Sequence, residues 1–148
     1  SIGEDIYFSK PDGKGASFLI DIGVQDQKDT GWSYPESWGT WLSGISGKIT
    51  LPIPLNQKTP AQLLFEIDNP LPQSIGKQII NLSVNGSISK VPLSAGRNKI
   101  KYEITKDDLD YGYVIIEFEP IYRFIPAKAG LGDDSRNLSI GIVSAKFE

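Results

Sequence analysis

The sequence predicts an all-β fold: an antiparallel two-sheet β-sandwich, jelly-roll-like, with about eight to ten short strands. Three observations predict it. Apolar and polar residues alternate with period two in one short segment after another, the pattern of a strand half-buried on a sheet. Turn formers separate those segments, drawn from 15 Gly and 10 Pro among 148 residues, as sandwich strands require. No segment carries an apolar stripe at helical spacing long enough for a convincing helix.

Taken in order, Ile6-Tyr7-Phe8 is a short apolar burst before the turn cluster Ser9-Lys10-Pro11-Asp12-Gly13-Lys14-Gly15. Phe18, Ile20, Ile22 and Val24 alternate with Leu19, Asp21 and Gly23 as a strand, and Gln25 to Thr30 follows as a polar loop. From Lys48 to Pro54, Ile49, Leu51 and Ile53 point one way and Lys48, Thr50 and Pro52 the other. Pro52 and Pro54 have no N–H for a ladder, which places this strand at a sheet edge. Residues 55–60 read as a turn. Ala61 to Asp68 is the next strand, with Leu63, Phe65 and Ile67 on one face, and Asn69-Pro70-Leu71-Pro72 breaks it.

Asn85-Gly86, between Gln78–Val84 and Ser87–Leu93, predicts a type I′ hairpin, since both residues accept positive φ. After the turn Ala95-Gly96-Arg97, the run Asn98 to Ile104 sets Ile100, Tyr102 and Ile104 inward. Thr105-Lys106-Asp107-Asp108 resembles a helix cap, with room for about one turn before Gly112. Tyr113 to Pro120 is a strand with Val114, Ile116 and Phe118 inward, and Ile121 to Asn137 is irregular. In Leu138 to Phe147 the phase changes. Leu138, Ile140 and Ile142 share one face and Val143, Ala145 and Phe147 the other, which requires a bulge near Ile142 or burial on both faces.

With 39% hydrophobic and 22% charged residues, the chain is expected to form one domain over 1–148 with a sizeable core. It begins with Ser1 rather than Met, which points to a piece excised from a longer protein. Net charge is −3 and no two basic residues are adjacent, so the electrostatic footprint of a nucleic-acid binder is missing. No apolar run approaches membrane-spanning length, and direct membrane insertion is not expected. With no Cys and no His, thiol nucleophiles, Ser-His triads, disulfides and the usual zinc or copper ligand sets are excluded. No cofactor is expected. The one metal left open is a hard cation on oxygen ligands, such as a structural Ca²⁺.

The chemistry concentrates in Gly31-Trp32-Ser33-Tyr34-Pro35-Glu36-Ser37-Trp38-Gly39-Thr40-Trp41-Leu42-Ser43-Gly44, which holds all 3 tryptophans of the chain. Tyr and Trp faces stack on the apolar C–H faces of sugar rings, and neighbouring carboxylates bind hydroxyls; ligand sites combine such apolar walls with a few placed polar groups. Trp32, Tyr34, Glu36, Trp38 and Trp41 are therefore candidate ligand-binding residues. The competing reading makes Trp32, Trp38 and Trp41 plugs at the open edge of the sandwich. At strand period Trp38 and Trp41 face opposite ways, so similar burial of both requires a bend.

A second stretch, Gly130-Leu131-Gly132-Asp133-Asp134-Ser135-Arg136-Asn137, adds Asp133, Asp134 and Arg136 as ligand-binding candidates, because an acid two residues before an arginine forms a charge-assisted pair in a bent loop. The alternative is that Asp134 and Arg136 only fix the loop before the last strand. Asp107, Asp108, Lys99 and Lys101 read as a solvated face. A glycosidase would need two carboxylates about 5–10 Å apart, and small sandwiches with acids only in loops favour binding over catalysis, so no enzyme activity is expected.

The pattern Gly31-Trp32-Ser33-x-Pro35-Glu36-x-Trp38-Gly39-x-Trp41, then Val84-Asn85-Gly86, then Asp134-Ser135-Arg136-Asn137-Leu138-Ser139-Ile140, resembles an accessory C-terminal β-sandwich domain of bacterial cell-surface polysaccharide enzymes, namely glycosyltransferases and phosphoglycerol-transferase-like membrane proteins. The resemblance runs from about Phe8 to Phe147, with Ser139 where that family often has Gly. It implies a position beside glycan enzymes in a bacterium, with Glu36, Trp38, Trp41, Asp134 and Arg136 in one constellation. The expected function is a non-catalytic carbohydrate-binding module that holds a polysaccharide or oligosaccharide near the catalytic domain of its parent chain. The alternative is a structural or docking sandwich that mediates inter-domain or self association without binding glycan. The compartment, on either side of the membrane, follows the parent protein. Arg136 is expected to bond Glu36 or Asp134, with the Trp38 ring against the same cluster.

Overall fold

Inward and outward residues alternate through several strands of the computed structural model, which describes residues 2–9, 31–54 and 58–148. The expected strand Phe18 to Val24, the loop Gln25 to Thr30 and most of the Ser9–Gly15 turn lie outside the described residues, as do residues 55–57 of the expected turn. The elements in order are β1 (Ile6–Tyr7), β2 (Thr40–Leu42), β3 (Gly47–Pro52), β4 (Gln62–Asn69), β5 (Ile79–Val84), β6 (Ser87–Pro92), β7 (Gly96–Glu103), α1 (Lys106–Tyr111), β8 (Tyr113–Pro120) and β9 (Ile140–Phe147).

They form an all-β antiparallel two-sheet sandwich. One sheet has the order β1-β9-β4-β7, with β2 also on β9; the other has the order β3-β8-β5-β6. β3 is an edge strand, as Pro52 requires, with Ile49 and Leu51 fully buried and Lys48 and Pro52 exposed. Leu63, Phe65 and Ile67 of β4 face Ile116 and Phe118 of β8 across the core, and the Phe65 and Phe118 rings meet edge to face at 5.4 Å. The hairpin turn has φ 49 at Asn85 and φ 86 at Gly86, the doubly positive signature of type I′.

The phase change in β9 is a bulge. Glu66 pairs Ser144 while Ile67 pairs Ile142, so Val143 is the extra residue. Skipping it lets Ile140, Ile142, Ala145 and Phe147 all enter one core. The expectation of no convincing helix is corrected by α1. Its six residues are held by a complete capping box, with Thr105 Oγ1 accepting from the Asp108 N–H and Asp108 accepting from the Thr105 N–H, and by Gly112 in the left-handed conformation at the C-terminal end. Among the described residues no helix is long and apolar enough to cross a membrane.

Candidate functional site

The aromatic stretch doubles back on itself. Trp32 bridges Leu42, the Ser33 N–H donates to Trp41 O at 2.8 Å, and Ser43 and Gly44 both donate to Gly31 O. Residues 34–39 are thus the tip of a narrow loop, closed by the Glu36 N–H donating to Gly39 O at 2.7 Å. This is the bend that the aromatic spacing requires. It brings Trp38 and Trp41 together, with ring centroids 4.3 Å apart and planes inclined by 60°. Trp41, on β2, lies opposite Gly141 of β9. A Cβ on Gly141 would lie 2.5 Å from Trp38 Cη2 and 2.9 Å from Trp41 Cε3, so the two indoles are seated on bare backbone. Trp41 also packs on a satellite cluster of Leu71, Phe124 and Leu138.

Trp32 corrects the expectation of a ligand-facing ring. It is 1% exposed, meets Phe118 edge on at 6.0 Å and donates its indole N–H to Lys48 O. No face of it is available to a ligand. Tyr34, at the loop tip, is 70% exposed, whereas Trp38 and Trp41 are half-buried.

The second stretch is anchored at both ends. Phe124 and Leu138 exchange backbone hydrogen bonds, and the buried Gln78 donates to Tyr122 O and Ser139 O while accepting from the Tyr122 N–H. Within the loop so closed, Asp134 accepts from the Arg136 backbone N–H and from the side-chain Nε, both at 3.0 Å, and from Nη2 at 2.7 Å. The remaining Arg136 nitrogen, Nη1, lies 3.5 Å from Glu36 Oε2. That oxygen is buried and, among the described residues, accepts no hydrogen bond. The Arg136 guanidinium is therefore shared between two carboxylates drawn from distant parts of the chain. Its hydrogen bonds hold the Asp134 carboxyl below its usual range against a smaller effect of burial, and Asp134 in turn pushes Arg136 further up. A carboxylate held ionised accepts hydrogen bonds; it is a poor proton donor. Asp133 is exposed beside this pair. Among the described residues no group of three or more acids converges as a cation would need.

Sequence reasoning missed a second polar centre. Asp108, expected on a solvated face, is 3% exposed. It accepts from Tyr102 Oη at 2.6 Å, Asn85 Nδ2 at 2.8 Å and the Thr105 N–H at 2.9 Å. Its cap position was legible, but its partners from strand β7 and from the β5–β6 turn were not. Lys99, Lys101 and Asp107 are exposed as expected. A concavity of about 690 Å³ opens beside this centre, lined by Asp107 and Tyr111 of α1, Gly86 and Ser87 of the hairpin, and Lys48 with Glu117.

No family model matches the chain, and no curated protein matches it. Among solved structures the chain is similar to dimeric latent PorU from Porphyromonas gingivalis, at 14% identity and a TM-score of 0.40; the match covers 75% of this chain and 11% of that one.

Proposed function

We propose that the domain is a non-catalytic carbohydrate-binding module that holds a glycan near a catalytic domain of its parent chain, a bacterial polysaccharide-biosynthesis enzyme, by raising the local glycan concentration. The observation that carries this reading is the Trp38 ring, half-buried on Gly141 and braced by Trp41, in a loop whose Glu36 shares Arg136 with Asp134. A braced indole offers a sugar a flat face with little entropy left to lose, and paired carboxylates accept hydroxyl hydrogen bonds. Tyr34 extends the aromatic surface at the loop tip.

Calorimetric titration with neutral oligosaccharides of glucose, N-acetylglucosamine and mannose tests it. Binding that weakens at least about tenfold in Trp38→Ala supports the reading, since that is the scale of losing one well-packed contact. Absence of binding to the whole panel at millimolar ligand counts against it. Binding that survives Trp38→Ala moves the site to the concavity beside α1.

A docking domain is the second reading, and β6 favours it. This edge strand is exposed along nearly its whole length and displays Ile88 at 74% exposure. Exposed edges pair with other strands. Sedimentation that shows a dimer lost in Ile88→Lys would support association through β6.

A further inference from the structure

On the outer face of the first sheet, four positions line up across the strands. Register sets Trp41 of β2 opposite Gly141 of β9, Gly141 opposite Asp68 of β4, and Asp68 opposite Arg97 of β7. All four face away from the core, because Leu42, Ile140, Ile142, Ile67 and Ile100 hold the inward positions of the same strands. With strands about 4.8 Å apart, the row is roughly 15 Å long. Trp38 covers its second position, Gly141, so the next side chain along the row is Asp68.

Asp68 and Arg97 form a second pair. Arg97 Nε lies 3.6 Å from Asp68 Oδ1, and Arg97 Nη1 lies 3.6 Å from Glu66 Oε1. Burial raises the Asp68 pKa and Arg97 opposes it. Arg136 and Arg97 each face two carboxylates: Arg136 has Asp134 and Glu36, and Arg97 has Asp68 and Glu66. Glu66 and Lys99 lie opposite each other, one position outside the row, and their charges offset.

The geometry points to a second carbohydrate subsite at Asp68 and Arg97, in line with Trp38, so that the site takes an extended neutral glycan lying across the strands. This rests on the glycan-binding reading of Trp38. One sugar stacks on the indole, and the hydroxyls of the next meet an acceptor in Asp68 and a donor in Arg97, both charge-assisted. An acidic sugar meets two carboxylates for one guanidinium at the Arg136 end, and like charge repels it.

The test compares a neutral disaccharide with the matching hexasaccharide by calorimetry, with an oligogalacturonate as the acidic arm. Wild type should bind the hexasaccharide at least about tenfold tighter than the disaccharide, the scale of one added charge-assisted hydrogen bond. Arg97→Ala and the isosteric Asp68→Asn should each erase most of that gain, and Trp38→Ala should weaken both ligands. Lys90→Ala, on the far edge strand β6, should match wild type. If both Asp68→Asn and Arg97→Ala keep the full chain-length gain while Trp38→Ala loses binding, the second subsite is wrong and the glycan reading stands. Preference for oligogalacturonate overturns the neutral class. If no saccharide binds wild type, both fall.

Discussion

Trp32 and Trp38 are separated by six positions and do different work. Trp32→Ala empties a fully buried site against Phe118 and should cost about 3–5 kcal/mol in urea unfolding, the usual range for removing a core aromatic. Trp38→Ala, at a half-buried ring, should cost clearly less, and an equal loss would show that Trp38 is core. Arg136→Lys keeps the charge but loses the fork that reaches Asp134 through Nε and Nη2. Because the Arg136 side chain is 38% exposed and that of Glu36 40%, its stability loss should stay within about 1 kcal/mol, while affinity for a neutral oligosaccharide falls. A larger drop in the urea midpoint would make the pair a structural clamp. The Glu36–Arg136–Asp134 meeting was legible because each residue sits in a turn-rich stretch unlike a strand. The division between Trp32 and Trp38 was not, because it depends on which ring the reversed loop turns inward, and composition does not encode that.

At the scale of elements, Gly86→Val is the sharpest probe. Gly86 has φ 86, where a β-branched residue is strained, and a Cβ there meets open space, so backbone strain alone should cost about 1 kcal/mol or more. An unchanged thermal midpoint would refute that account. Period-two alternation made β3, β4 and β8 readable, and the Asn85-Gly86 turn made β5 so; burial in each follows every second residue. The phase change in β9 was readable as a bulge or as burial on both faces, and the strand has both: Val143 is the bulged residue, and nearly every position from Ile140 to Phe147 is buried. α1 was underestimated for a physical reason: a helix this short has almost no propensity signal of its own and exists through its two caps and Asp108. Gln78, which ties both ends of the 122–139 loop, gave no signal, because its acceptors lie 44 and 61 residues away.

Across the whole molecule, Asp108 joins the two sheets. Tyr102 belongs to β7 of the first sheet and Asn85 to the β5–β6 turn of the second, and both donate to the same carboxylate at the start of α1. Burial alone would raise the Asp108 pKa, but hydrogen bonds from Thr105, Tyr102 and Asn85 together hold it below 3.8. The group thus adds stability above its ordinary pKa that is lost as pH falls through the lower folded value. Tyr102 shows the opposite sign. Burial first, then the hydrogen bond and charge of Asp108, push its hydroxyl from 10.0 to about 12. Its contribution is complete below pH 10 and disappears as pH rises toward 12, because the unfolded tyrosine ionises first. Tyr102→Phe should therefore act twice. At neutral pH it removes the 2.6 Å donor from a buried carboxylate, at a cost of about 1.5–3 kcal/mol. Between about pH 10 and 12 it should flatten the fall in the urea midpoint relative to wild type, since phenylalanine has no proton to lose. A variant with the wild-type midpoint at neutral pH and the wild-type alkaline slope would show that the two sheets are not joined through Asp108.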